Sequence, residues 1–452
     1  MSAGKPGFRD VLRALADAGE VLRVPKPVDP RHVSGLTAQS KQATLFESIV
    51  GYPDWRLAGA LLSTRRRLAV AMGCSERDIA TRFEEGARHP IDARLVADAP
   101  CQEVVVEGDQ VDLTSIPIPL MHVKDGGPYI SATLVVSKDA QYGRNVGSYR
   151  LMYRTPRETG IDLVSPSDMR RYYQRALDQG RPLEIAVAVG VHPFEMLAAS
   201  YKAPIDVDEF AIAGGLHGKP VELVRCRTVD LEVPADAEFV LEGELLPIGW
   251  TVDEGPFGEF SHITGEIKWN PVFRVKCITR RRDPIFYMLQ MPWENDWLAA
   301  PVTEAAGLQA LRVASVEPVA IRAPVGACGY WTLIASIRKR PGEGKNALLA
   351  LLSVAEVKLA IVTDDDIDIY NPDDLDWALT FRVQADHDVL VISGARGKHI
   401  DPSVKAWAAG KGGLPTTAKL GIDATIPEGV PRAQYERLRY FAKDAVRLED
   451  YL

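Results

Sequence analysis

The feature that most restricts the fold is a change of apolar period along the chain. From about residue 111 to 300, β-branched apolar runs of strand length recur at 129–136, 183–189, 221–224 and 272–279. Bounded by Gly, Pro and Asp, such runs read as strands. A single helical stretch, 167–179, interrupts them. Many short strands around one inserted helix predict an antiparallel, barrel-like domain.

The flanks follow a different rule. Residues 8–15 carry apolar side chains at helical spacing and run into Gly19, while 56–62 and 67–73 read as short buried strands. Ser75 looks like the cap of a further helix. Beyond residue 300, helices at 303–314, 345–352 and 372–379 alternate with strands at 319–322, 330–337, 359–362 and 389–392. That alternation predicts an α/β domain with a partly parallel sheet. The tail, 431–452, reads as a helix that docks on another element or subunit. The expectation is a mixed α/β chain in three domains, 1–110, 111–300 and 301–452.

Charge narrows the function classes. With 53 Lys and Arg against 61 Asp and Glu the net charge is −8, a poor basis for binding nucleic acid or an anionic membrane. Five scattered cysteines form no CxxC pair, so neither a zinc ribbon nor a disulfide framework is indicated. The first residues lack the pattern of a signal peptide, and no run of about 18 uncharged apolar residues marks a membrane span. The default compartment is the reducing cytoplasm.

Three segments offer chemistry. Gly143-Arg144-Asn145-Val146-Gly147-Ser148-Tyr149-Arg150 combines close backbone approach, an amide ligand and anion-binding arginines; alone it also reads as a polar hairpin turn. Asp253-Glu254-Gly255-Pro256-Phe257-Gly258-Glu259 places two carboxylates either side of a turn, where both can face one cavity. Near an arginine such a pair suits divided duties, one acid staying ionised and the other giving a proton; the alternative is a solvated loop. Asp364-Asp365-Asp366-Ile367-Asp368 lacks EF-hand spacing and reads first as a surface turn, second as a Mg²⁺ or Ca²⁺ site. His262 either orients the glutamates or faces solvent, and Trp293 and Trp297 either wall an aromatic pocket or pack at an interface. His192 and His217 read as satisfied polar residues in turns.

In order along the chain, these segments and several others resemble the UbiD-like decarboxylases that use prenylated FMN. The likeness runs through Gly127-Pro128-Tyr129-Ile130, Asn145-x-Gly147-x-Tyr149-Arg150, Val207-Asp208-Glu209, Val233-Pro234-Ala235-Asp236 and Glu254-Gly255-Pro256-Phe257-Gly258-Glu259. It ends in Asp365-Asp366-Ile367-Asp368, Trp377-Ala378 with Arg382, and Lys419-Leu420-Gly421-Ile422-Asp423. The resemblance implies an N-terminal α/β domain, a central split β-barrel of the flavin-reductase type and a C-terminal α/β oligomerisation domain. It implies Arg150, Glu254 and Glu259 as catalytic residues, and Asn145, Ser148, Tyr149, Arg150 and Glu209 around the cofactor. It implies a divalent metal, Mn²⁺ ahead of Mg²⁺, and K⁺ as a further ion. Asn145 and Glu209 match two of the family's metal ligands. Its third, a His, falls on Pro166-Ser167-Asp168-Met169, where Asp168 is the natural replacement and Ser167 a weaker one.

The expected function is reversible, non-oxidative decarboxylation. Taking CO₂ from an sp² carbon strands an electron pair that no side chain can accept, so the sink must be a cofactor. In the family a covalent flavin–substrate adduct fills that role. Glu259 would donate the proton, Glu254 would fix Arg150, and Arg150 would bind the substrate carboxylate. An aromatic or heteroaromatic acid is the first expectation, an α,β-unsaturated aliphatic acid of natural-product metabolism the second. A plain FMN redox protein on the same barrel and a cofactor-free assembly subunit are the rival classes. The expected partners are the small acid, a flavin prenyltransferase that supplies cofactor, and further copies of the chain as a homodimer or higher homo-oligomer.

Overall fold

The strand Leu183–Val189 is paired along both edges, antiparallel to Phe239–Leu245 and to Thr133–Asp139. It lies at the centre of a nine-stranded sheet in the computed structural model, which describes residues 6–398, 400–404, 416–438, 440–441 and 445–452. The sheet order is Tyr129–Ile130, Leu151–Thr155, Glu158–Ile161, Val272–Arg280, Phe239–Leu245, Leu183–Val189, Thr133–Asp139, Gly143–Gly147, with Val104–Glu107 on the side of Val272–Arg280. Every pairing is antiparallel. Among the described residues the two end strands do not pair with each other, so the expected barrel-like element is an open sheet. The run 129–136 is broken in two by Ser131 and Ala132.

The described residues fall into two compact units, one drawn from Met1–Ala306, Ala323–Trp331 and Gly397–Pro415, the other from Gly307–Arg322, Thr332–Arg396 and Thr416–Leu452. The first unit also holds a four-stranded sheet in the order Val21–Val24, Ala43–Phe46, Arg56–Gly59, Ile285–Met288. The mixed α/β class is as expected; several elements are not. Residues 67–73 form most of a helix, Arg65–Met72, instead of a strand. Thr64 caps its start by accepting from the Arg67 N–H, and Gly73 ends it in the left-handed conformation. A short apolar run does not itself separate helix from strand; these caps do.

Two helices went unseen within the strand-rich region, Pro193–Ser200 and Glu209–His217. Both are buried nearly all round, so neither shows the one-sided periodicity of a surface helix. Their starts are nevertheless capped, by His192 before Pro193 and by Asp208 before Glu209. The helix expected at 303–314 begins earlier, as Trp293–Val313.

In the second unit the sheet order is Pro318–Arg322, Thr332–Ile337, Leu359–Asp364, Thr416–Ala424, Val389–Arg396, parallel in its middle three strands. The acidic run is the expected surface turn at the end of the strand Leu359–Asp364, with Asp365 and Asp366 exposed, and arginines answer its charges. Arg382, 1% exposed, pairs with Asp364 and Asp366, and Arg432 reaches Asp365 at 2.6 Å. The tail expected to be helical shows, among its described residues, only the 3₁₀ turns Arg432–Tyr435 and Leu448–Tyr451. No described helix is long and apolar enough to cross a membrane.

Candidate active site

Arg150 lies in the connection between the strands Gly143–Gly147 and Leu151–Thr155, where Thr133 receives a hydrogen bond from the Tyr149 N–H and donates one to the Tyr149 carbonyl. Its guanidinium reaches three carboxylates. Nε and Nη2 donate to the two oxygens of Glu254, each at 3.0 Å, while Nη1 donates to Glu259 at 2.8 Å and lies 3.0 Å from Asp162. The guanidinium also sits 4.6 Å from the centre of the Phe257 ring. Burial would lower Arg150, but Asp162, Glu254 and Glu259 outweigh it and hold the group above its ordinary range. Burial likewise opposes ionisation of Asp162, yet Arg150 and Lys268 hold it below the usual carboxylate range.

Both glutamates belong to one hairpin. Glu254 ends the strand Val252–Glu254, paired with Lys268–Asn270, and a tighter turn beyond it brings Glu259 back to the same arginine. Asn270 donates to Glu254 at 3.2 Å, and Lys268 is 3.5 Å from Glu259. The turn therefore brings both acids to one guanidinium, but only Glu259 lines the cavity beside it; Glu254 is wholly buried.

Asp162, Lys268 and Asn270 were missed in the sequence. Asp162 has a signal: Ile161 pairs with Leu151, so continuing that register by one residue sets Asp162 opposite Arg150. The hairpin is braced at Gly258, whose N–H donates to Asp125 at 2.8 Å with the His122 ring packed against its Cα. A Cβ there would run into that ring, which Asp125 holds in place. Gly258→Ala is accordingly expected to destabilise the fold by about 1–3 kcal/mol and to lower turnover by displacing Glu259. Urea unfolding and steady-state kinetics would measure both, and a fully active, equally stable variant contradicts this bracing.

The cavity beside Arg150 holds about 520 Å³. Ser148, Tyr149, Arg150, Ser167, Glu259 and Lys268 provide polar walls; Phe257, Phe260, Tyr330 and Leu289 provide apolar ones. Trp293 and Trp297 do not line it: Trp293 stacks edge-on against His262, and Trp297 packs on the core. The His262 ring makes no bond to either glutamate carboxylate; its Nε2 lies 2.8 Å from Asp296. His192 and His217 are buried helix-end residues in contact with each other, their rings 4.6 Å apart.

The residues expected to hold a metal partly assemble. Asn145 donates to Glu209 at 3.2 Å, and the Val146 N–H donates to the other carboxylate oxygen at 2.8 Å. The Asn145 carbonyl oxygen is buried and has no hydrogen-bond partner. Burial pushes Glu209 up to about 7, and the nearby charges of Asp208 and Asp168 add to that. An orphaned amide oxygen beside a carboxylate that is costly to ionise fits a hard cation, which would satisfy both. Asp168 opens the helix Asp168–Asp178 within electrostatic reach of Glu209, while the Ser167 hydroxyl is engaged as that helix's cap.

Models of the 3-octaprenyl-4-hydroxybenzoate carboxy-lyase match in all three parts: the N-terminal domain at 12–85, the Rift-related domain at 94–292 and the C-terminal domain at 296–424. The chain belongs to the UbiD family. As a UbiD-family member it is a carboxy-lyase. It is 33% identical over 382 residues to the anhydromevalonate phosphate decarboxylase of Methanothermobacter thermautotrophicus, covering 83% of this chain and 86% of that protein. Its fold matches the UbiD-class enzyme HmfF of Pelotomaculum thermopropionicum in complex with FMN. That match has a TM-score of 0.91 and 35% identity, over 99% of this chain and all of the other. An evolved dimeric form of that enzyme, in complex with prenylated FMN, matches with a TM-score of 0.88 and 34% identity over 99% of this chain and all of the other. The apo 3,4-dihydroxybenzoic acid decarboxylase of Enterobacter cloacae matches with a TM-score of 0.88 and 27% identity, over 97% of this chain and 98% of that one.

Proposed function

We propose that this UbiD-family chain is a reversible, non-oxidative decarboxylase of an aromatic or heteroaromatic acid that works with prenylated FMN. The observation that carries the reading is the single guanidinium of Arg150 clamped by Glu254 and bonded to Glu259 at a cavity wall. FMN and prenylated FMN in the related structures support the choice of cofactor. When bound, that cofactor supplies the sink for the electron pair released as CO₂ leaves. Glu254 fixes the orientation of Arg150, and Arg150 attracts the substrate carboxylate. Glu259 holds the proton that takes the place of CO₂ on carbon. A flat acid suits the walls formed by Phe257, Phe260 and Tyr330. A non-aromatic unsaturated acid is the second reading, favoured by the likeness to a decarboxylase named for anhydromevalonate phosphate.

In the same reading Asn145, Glu209 and Asp168 hold a divalent cation, Mn²⁺ ahead of Mg²⁺, and Ser148 and Tyr149 face the cofactor. The open nine-stranded sheet stands for one split barrel of the flavin-reductase type, the chain divides at residues 110 and 300, and residues 301–452 make a homo-oligomer. Elemental analysis of the holoenzyme checks the metal set. Glu209→Ala and Asn145→Ala are expected to lose most bound manganese, and Asp168→Asn to lose part of it; unchanged metal content in all three removes this assignment.

The function itself is tested by co-expression with a flavin prenyltransferase. The expected product has an absorbance spectrum distinct from FMN and releases CO₂ from at least one of 3,4-dihydroxybenzoate, vanillate, 2-furoate and cinnamate. A colourless protein, or one that only reduces ordinary FMN with NAD(P)H, overturns the reading.

A further inference from the structure

The turn that follows Glu259 is tied to a buried acid on another element. Glu259 receives a hydrogen bond at its carbonyl from the His262 N–H at 3.0 Å, and its own N–H donates to Ile263 at 3.0 Å. The backbone of Glu259 is thus tied to that of His262 and Ile263. His262 has φ +63°, a left-handed conformation that is strained for a non-glycine residue. What holds it there is its side chain: Nε2 bonds Asp296 at 2.8 Å and the ring packs edge-on against Trp293 with centroids 4.4 Å apart.

Asp296 has no exposed surface, and its other oxygen has no hydrogen-bond partner. Burial pushes its carboxyl up to about 8 and the His262 imidazole down, so neither is stable as an isolated charge and each gains from the shared bond. A second anchor lies beside the first, where Phe260 packs on Tyr330 and Trp331 at 5.3 and 5.6 Å. The strained residue, the buried acid and Glu259 thus lie on one short mechanical path.

We propose that Asp296 and His262 are positioning residues that latch the Glu259 hairpin in its proton-donating geometry. The inference rests on the reading of Glu259 as the proton donor. It goes beyond that reading in assigning Glu259 its support from the start of the helix Trp293–Val313, outside the Arg150 cluster. A displacement of about 1 Å at a reacting group can cost on the order of 10²-fold in rate. The latch should therefore govern the protonation step and leave loss of CO₂ largely alone.

The experiment uses the holoenzyme with whichever acid of the four named above the wild type turns over fastest. Two exchanges are followed: ¹³CO₂ into the acid, and deuterium from D₂O into the product at the carbon that carried CO₂. His262→Gly relieves the left-handed backbone while cutting the tie, and Asp296→Ala cuts it from the other side. Both are expected to lose deuterium exchange by about 10–100-fold, with ¹³CO₂ exchange and KM within about 2-fold of the wild type. His262→Gln, which can still donate to Asp296, should recover most of the loss. Should Asp296→Ala fail to fold, His262→Gly carries the test.

Wild-type deuterium exchange in the cut variants, with Glu259→Gln impaired, overturns the latch alone. Equal loss of both exchanges also overturns it, because a merely structural role has that effect. Wild-type deuterium exchange in Glu259→Gln overturns the proton-donor reading and the latch with it.

Discussion

Glu259→Gln is expected to lose about 10²–10⁴ of turnover while still binding flavin, the usual worth of a general acid. The substitution is nearly isosteric, and a Gln carbonyl can still accept from Arg150 where the carboxylate does at 2.8 Å. What disappears is the exchangeable carboxyl proton. Glu259 is 4% exposed, so bulk water cannot easily take its place. Arg150 is no substitute, since a guanidinium keeps its proton throughout the working range. Stopped-assay CO₂ release and the flavin absorbance of the purified variant measure the two halves of the result. Normal turnover would show that another group protonates the product, and loss of flavin would make Glu259 a cofactor ligand instead.

Much of the fold was legible because its strands are marked twice, by apolar runs and by the turns between them. The sheet core at 183–189 and 272–279 lies where expected. The two helices that went unseen share a cause. The helices Pro193–Ser200 and Glu209–His217 are enclosed, so burial erased the amphipathic pattern that sequence reading depends on.

The site divides in a similar way. Glu254 and Glu259 stood out because five residues and a turn separate them, whereas Asp162 was missed although hairpin register would have placed it opposite Arg150. Neither rule reaches His262 and Asp296, which are 34 positions apart and meet only through tertiary packing. Tyr330 joins the cavity wall from still further along the chain, and of the two alternatives for Trp293 and Trp297 the structure shows packing and not the pocket wall.

Arg150→Met is expected to do more damage than loss of either glutamate, and to show it in stability as well as turnover. Arg150 answers Glu254, Glu259 and Asp162 at once, and Glu254 is wholly buried. Lys268 remains, at 3.5 Å from Glu259 and 3.7 Å from Asp162, while among the described residues Glu254 keeps only the more distant charge of Arg154. Removing one side of a buried pair typically costs about 3–5 kcal/mol, because the remaining charge is stranded. The cost must also depend on pH, and its sign follows from Asp162. Arg150 and Lys268 hold that carboxyl below its unfolded value, so it stabilises the fold above about pH 4 and loses that contribution as pH falls through the folded value. The stability gap between wild type and Arg150→Met should therefore be widest near pH 7 and narrow on acidification below about pH 4, as the wild type loses the contribution of Asp162. Adding Glu254→Gln to Arg150→Met should return part of the loss at neutral pH, since one uncompensated charge is gone. Urea unfolding at pH 7 and at about pH 2–3 measures all three proteins. A gap that does not change with pH would mean that Arg150 stabilises the fold by packing against Phe257 and not by answering the acids around it.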